Sequence, residues 1–159
     1  MESISDTIAG TSPSSSGMLA PMDESIDHAD RRNAAIRRLV GVYDADGTAW
    51  GELSYWVGAR LGRAHCALCD ITHGSVREKG EWRTCRAGLP VPFDTYHRND
   101  QPDAVRAALH GAAPAVVAET ADAVVALLDG PALDACGGSP DALVAAIERA
   151  VDARGLAWP

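Results

Sequence analysis

Short apolar runs alternate along the chain with segments of helical periodicity. The run 39–43 is rich in β-forming residues and is followed by Asp and Gly, which predicts a buried strand ending in a turn. Apolar residues spaced three and four apart predict a helix over 49–61. The segment from Cys66 is expected to be a loop or the start of another helical turn. The remaining predictions are a helix over 78–87, a strand over 93–97, a helix over 102–109, strands over 115–119 and 123–128, and a final helix capped by Ser139 with Pro140 in its first turn.

In chain order these elements are βαβαββα, an order that resembles the thioredoxin-like fold. We therefore expect a single α/β domain over 39–155, with helices on both faces of its sheet. In that fold a cis-proline precedes the penultimate strand beside the active site, and Pro114 occupies the matching place. The resemblance also implies a redox CxxC directly after the first strand. Here residues 44–47 stand at that place and Cys66 comes much later, so the redox assignment does not transfer directly.

The N-terminal region has a different composition from the rest of the chain. Residues 10–17 are almost entirely Gly, Ser, Thr and Pro, which predicts a disordered tail over 1–30. Residues 31–38 contain Arg31, Arg32, Arg37 and Arg38. We expect this segment to be a short basic helix, with a solvated face, that leads into the domain.

Composition and charge narrow the class of protein. The hydrophobic fraction of 47% is typical of a globular domain, and the net charge of −8 leaves no basic footprint for a nucleic acid. The sequence shows neither an apolar run long enough to span a membrane nor a secretory signal. We therefore expect a cytoplasmic protein without membrane partners. Its four cysteines would then serve as thiols, metal ligands or catalytic groups more readily than as disulfides.

The candidate chemistry is concentrated in residues 65–73, which read HCALCDITH. Cys66 and Cys69 form a CxxC pair, whose sulfur atoms can meet on one side of a turn. This spacing allows a disulfide of tunable potential or two thiolate ligands on one metal ion. Two buried thiols that only pack are the structural alternative.

As a redox site, the pair divides into two roles. Cys66 would be the attacking thiolate and Cys69 the resolving thiol. His65 or His73 would activate Cys66, because an imidazolium stabilises a thiolate. The substrate expected for such a site is a small-molecule or protein thiol.

As a metal site, the same run supplies Cys66, Cys69 and His73 as ligands, with zinc the simplest occupant. His73 follows Cys69 by four residues and would share its helix face. A fourth ligand could be His97, from the strand over 93–97, and His65, Asp70 and Cys85 are further candidates. A third interpretation is a non-enzymatic interaction protein in which the cysteines only pack.

A second resemblance is local. The chain contains VYDA at 42–45, CALCDITHG at 66–74, and Glu81 followed by Trp82. This pattern resembles a family of small bacterial proteins of unassigned function, which combine VY(D/N)A, CxLCx(I/L)T(H/Y)G and a downstream tryptophan. The resemblance implies no particular reaction.

Overall fold

A computed structural model describes residues 34–45, 66–74 and 77–159. The predicted tail over 1–30, the predicted helix over 49–61 and the candidate residue His65 lie outside these residues. Within the described ranges, no helix is long and apolar enough to cross a membrane.

The described residues form a mixed four-stranded sheet. Its strands are β1 (Arg38–Tyr43), β2 (Phe93–His97), β3 (Ala115–Glu119) and β4 (Val124–Leu128), in the spatial order β2-β1-β3-β4. β1 is parallel to β2 and antiparallel to β3, and β3 is antiparallel to β4. After Arg38, residues 39–43 of β1 are all buried, because β1 is central and covered on both faces of the sheet.

The part of the chain that the structure describes contains five helices. They are α1 (Ala67–Thr72), α2 (Gly80–Ala87), α3 (Asp103–Leu109), α4 (Gly130–Asp134) and α5 (Pro140–Ala153). On one face of the sheet, α3 packs Val105 and Leu109 against Val40, Val42 and Val117. On the other face, a larger cluster joins the remaining helices to the sheet through Leu39, Phe93, Leu68, Ile71, Trp82, Leu133, Leu143 and Ile147.

The four strands and three of the helices confirm the sequence predictions. α5 begins as expected, because the Ser139 hydroxyl accepts the N–H of Ala142 at 3.3 Å and Pro140 is its first residue. The Ala113–Pro114 peptide bond is cis, and Pro114, which the sequence indicates only as a candidate for a cis-proline, immediately precedes β3. α4 was not predicted, although the Asp129 carboxylate caps it by accepting the N–H of Ala132 at 3.0 Å. The segment after Cys66 is helical and forms α1.

The basic segment before β1 differs from its prediction. Residues 34–38 are not helical, and Arg38 is already the first residue of β1. The N–H of Ile36 donates to the carbonyl of Ala157 at 2.8 Å, and that of Arg37 donates to the carbonyl of Glu119 at 2.7 Å. These backbone partners keep the segment extended and allow Ile36 to enter the core.

Candidate functional site

The candidate site lies where the parallel strands β1 and β2 end. Tyr43 and His97 are the last residues of these strands and are direct partners in the register. Their ring centroids lie 5.7 Å apart. In open α/β sheets, the carboxyl ends of parallel strands are the edge at which ligands bind.

α1 brings both cysteines to this edge. Cys66 is the extended residue that immediately precedes the helix, and Cys69 follows within its first turn. Leu68 and Ile71 are fully buried and anchor α1 in the core. A Cβ atom at Gly41 would lie 3.0 Å from Leu68 Cδ2, so the missing side chain lets α1 approach β1 closely.

The two thiols of the CxxC pair interact directly. A hydrogen bond from Cys69 lowers the pKa of Cys66 to about 7, and the backbone groups of Asp44 and Cys69 act in the same direction against the effect of burial. The same hydrogen bond and burial raise the pKa of Cys69. Both cysteines are free of disulfide bonds. The pair therefore has unequal roles, with a thiolate favoured at Cys66 and a proton retained at Cys69.

A hydrogen-bonded group of three side chains stands beside the thiols. Oγ1 of the buried Thr72 lies 3.0 Å from Tyr43 Oη and 2.8 Å from His73 Nδ1. Burial raises the pKa of Tyr43 to about 12, and the charges of Cys69 and Cys66 contribute to this rise. Tyr43 is therefore a neutral phenol close to the thiol pair at ordinary pH.

His73 and His97 both lie against the ring of Tyr43. His73 follows the last turn of α1, and its ring meets that of Tyr43 edge-on at 5.8 Å. Burial lowers the pKa of His73, an effect that Glu78 opposes and the nearby His97 reinforces. Nδ1 of His97 lies 3.2 Å from Oδ2 of Asp100. The site thus places two imidazoles around one phenol.

The four residues predicted as metal ligands do not form a ligand cluster. Among residues 34–45, 66–74 and 77–159, no three His, Cys, Asp or Glu side chains converge to hold a metal ion. Cys66 and Cys69 hydrogen-bond each other, whereas Nδ1 of His73 contacts Thr72 and Nδ1 of His97 pairs with Asp100. The two thiols therefore lie next to each other, whereas the ring Nδ1 atoms of His73 and His97 contact other side chains.

The other two cysteines are engaged elsewhere. Cys85 donates to Oδ1 of Asp141 at 3.2 Å, and Cys136 donates to the carbonyl of Ala132 at 3.4 Å. Burial raises the pKa of Cys85 and of Cys136. In experiments on thiol reactivity, Cys85 and Cys136 are therefore suitable controls for Cys66 and Cys69.

The sequence pattern places Asp44 at the ligand-binding end of the first strand but does not connect it or Tyr43 with the thiol pair. The available signal was a polar aromatic residue that ends an otherwise apolar strand. Arg98 also joins this edge, with its Nη1 3.1 Å from Oδ1 of Asp44.

No protein-family model, curated protein or solved structure matches this chain. The local resemblance of residues 42–45 and 66–74 to small bacterial proteins therefore stays a prediction. Function has to be inferred from the chemistry of the site itself.

Proposed function

We propose that the protein is a thiol–disulfide oxidoreductase-like protein whose redox centre is Cys66 and Cys69. The observation that carries the proposal is the proximity of two free thiols at the end of β1, which moves their pKa values in opposite directions. A thiolate held against a second thiol is the arrangement that disulfide exchange requires. Cys66 then attacks the substrate disulfide, and Cys69 resolves the mixed disulfide that forms.

The reaction has two balanced steps. The Cys66 thiolate attacks one sulfur of a substrate disulfide, forms a mixed disulfide and releases the first substrate thiolate. Cys69 then loses its proton and attacks the Cys66 sulfur, which breaks the mixed disulfide and releases the second substrate thiolate. Two electrons pass from the dithiol to the substrate, and the protein retains a Cys66–Cys69 disulfide. The reverse sequence oxidises a substrate dithiol.

The sheet supports a thioredoxin-like scaffold for this centre. Its strand order is β2-β1-β3-β4, and β3 alone runs against the direction of the other three strands. The CxxC pair stands beside the end of the central strand, which is where that scaffold holds its redox pair. The connection differs, because the pair reaches this place from later in the chain.

The solvent exposure of Cys66 limits the size of the substrate that can reach it. Its side chain is buried, with 8% of the residue exposed, whereas Cys69 is half-buried. This low exposure of Cys66 favours a slender substrate, such as a low-molecular-weight disulfide or an extended peptide that carries one. In a reducing cytoplasm the pair would rest as the dithiol.

The proposal is tested by equilibrating the protein in glutathione buffers of stepped redox potential. Acid quenching, alkylation and peptide mass spectrometry then locate any disulfide. We expect a reversible Cys66–Cys69 disulfide in the wild type and in a Cys85→Ser, Cys136→Ser variant. We expect none in Cys66→Ser or Cys69→Ser.

Two results would contradict the proposal. One is a Cys66–Cys69 pair that stays reduced at every potential. The other is stoichiometric zinc in protein purified without chelator, retained by the wild type and lost in Cys66→Ser. That second result would favour the metal-binding interpretation of the same residues.

A further inference from the structure

A groove of about 500 Å³ lies between α2 and α5. α5 lines it with residues spaced three and four apart, which share one face of the helix: Asp141, Val144, Ala145 and Glu148. The opposite wall comes from the last turn of α2 and the residues that follow it, up to Pro90. A volume of this size is typical of a binding site for a small molecule.

The floor of the groove is formed by Leu89, Val144 and Trp158. All three side chains are only half-buried, although Leu89 and Trp158 also pack against the main core. Covering apolar surface that is still in contact with water is favourable. The floor can therefore hold the apolar part of a ligand.

The backbone that carries Trp158 is fastened to the start of β1. The N–H of Ala157 donates to the carbonyl of Ala34 at 3.1 Å, and its carbonyl accepts the N–H of Ile36 at 2.8 Å. Ile36 is buried in the core. The indole is therefore carried on ordered backbone before any ligand arrives, which reduces the entropic cost of binding.

The rim of the groove carries the exposed carboxylates of Asp141 and Glu148. The two residues lie about 10 Å apart along the axis of α5. Among the described residues, the lining of the groove contains no Lys, Arg or His. Arg86 and Arg149 are close in sequence but do not line it, and Arg86 pairs with Glu78 at 3.1 Å. The rim is therefore complementary to a positive charge.

Cys85 orients one of these carboxylates. Its Sγ donates to Oδ1 of Asp141 at 3.2 Å and so joins the two walls of the groove. A carboxylate accepts several hydrogen bonds, so Asp141 can bind a second donor at the same time.

We propose that the groove between α2 and α5 is a binding site for an organic ammonium ion with an apolar body. The ammonium group lies among the carboxylates of the rim, and the body covers Leu89 and Val144 on the floor. The indole of Trp158 adds to this selection, because an aromatic ring attracts a cation to its face. The site does not depend on the proposed redox function.

The test compares three ligands of matched shape and different charge: phenethylammonium, phenethyl alcohol and hydrocinnamate. Each is titrated into the reduced, ¹⁵N-labelled full chain and followed by ¹H–¹⁵N correlation. We expect the ammonium ion to bind about tenfold more tightly than the alcohol, and the carboxylate to bind most weakly. The shifts should map to residues 84–90 and 141–148 and to the indole N–H of Trp158, which Trp158→Phe identifies.

Variants of the rim separate charge from shape. Asp141→Asn and Glu148→Gln should each weaken phenethylammonium by about threefold and leave phenethyl alcohol unchanged. The double variant should bind both ligands equally. Asp152→Asn is the matched control, because it removes an exposed carboxylate of α5 that does not line the groove. Its affinities should equal those of the wild type.

Four results would overturn the proposal. Equal wild-type affinities for the ammonium ion and the alcohol would show that the rim does not select charge. Shifts outside the groove would place the binding elsewhere, and no shift with any ligand would show that the groove binds none of them. Shifts at the groove that grow with protein concentration, without ligand, would show that a second copy of the chain occupies it.

Discussion

The backbone of Asp44 lies close enough to the thiol of Cys66 to lower its pKa, although a long stretch of chain separates the two residues. The contact places the CxxC pair at the carboxyl end of β1. In the thioredoxin-like scaffold that we propose, a redox pair would follow the first strand directly. In this chain Cys66 and Cys69 come from a later segment, which α1 anchors through Leu68 and Ile71.

The reactivity of Cys66 should follow a titration centred near neutral pH. Its thiol has a pKa of about 7 instead of the ordinary value of 9, because Cys69 donates a hydrogen bond to it. The thiolate forms as the pH rises, so iodoacetamide labelling of Cys66 should increase from pH 6 and level off above about pH 8. Peptide mass spectrometry separates this rate from those of Cys85 and Cys136.

Cys69→Ala is the matched variant for this titration. It removes the hydrogen-bond donor, so the labelling midpoint of Cys66 should move to higher pH by about one unit or more. Cys85→Ala, which leaves the pair intact, should leave the midpoint unchanged. A labelling midpoint of Cys66 near pH 9 in the wild type would show that its pKa is not lowered, and would contradict the unequal pKa values of the two cysteines.

Gly41 should be needed for the close approach of α1 to β1. A Cβ atom there would lie 2.9 Å from Phe93 Cε1 and 3.0 Å from Leu68 Cδ2. Because both neighbours are buried, Gly41→Ala should lower the free energy of unfolding by about 1–3 kcal/mol. Urea unfolding measures the change, and Gly74→Ala is the control, since among the described residues its Cβ would meet only Arg77 O, at 3.7 Å. Equal stability of both variants would show that α1 can shift without cost.

The strands and most helices of the described ranges could be predicted because they depend on local patterns. Continuous apolar runs marked β1 and β3, and Ser139 with Pro140 marked the start of α5. The segment before β1 could not be predicted in this way. The arginines of 31–38 have the composition of a solvated helix, but within the described residues Ile36 and Arg37 donate backbone hydrogen bonds to Ala157 and Glu119, which are distant in sequence.

The two cysteines of the candidate site could be predicted from the sequence, but the residues that surround them could not. The CxxC spacing identified Cys66 and Cys69, because the pair is local. The interaction of Tyr43 with Thr72 and the pairing of Tyr43 with His97 depend on how β1, α1 and β2 meet. Spacing alone also suggested that His73 would share a ligand set with the cysteines, whereas its Nδ1 is used by Thr72.

Arg38 should contribute to stability by joining three strands. Its Nε and Nη2 bind the two carboxylate oxygens of Glu119 at 2.6 and 2.9 Å, and its Nη1 lies 3.0 Å from Oδ2 of Asp94. Paired charge-assisted hydrogen bonds of this kind exceed an ordinary surface ion pair, so Arg38→Met should destabilise the fold by about 1–2 kcal/mol. Arg106→Met is the control, because its contact with Asp103 is 3.6 Å long and exposed. A loss no larger than that of the control would contradict the role of Arg38.

Tyr43 should make stability fall in alkaline solution. Its pKa is about 12 in the folded protein and about 10 when unfolded, so the unfolded chain ionises first as the pH rises. The contribution of the neutral phenol is complete below pH 10 and is lost between about pH 10 and 12, a change of about 2–3 kcal/mol. Urea unfolding at stepped pH should show a steeper alkaline decline in the wild type than in Tyr43→Phe. Parallel slopes for the wild type and Tyr43→Phe would show that burial does not hold the phenol neutral.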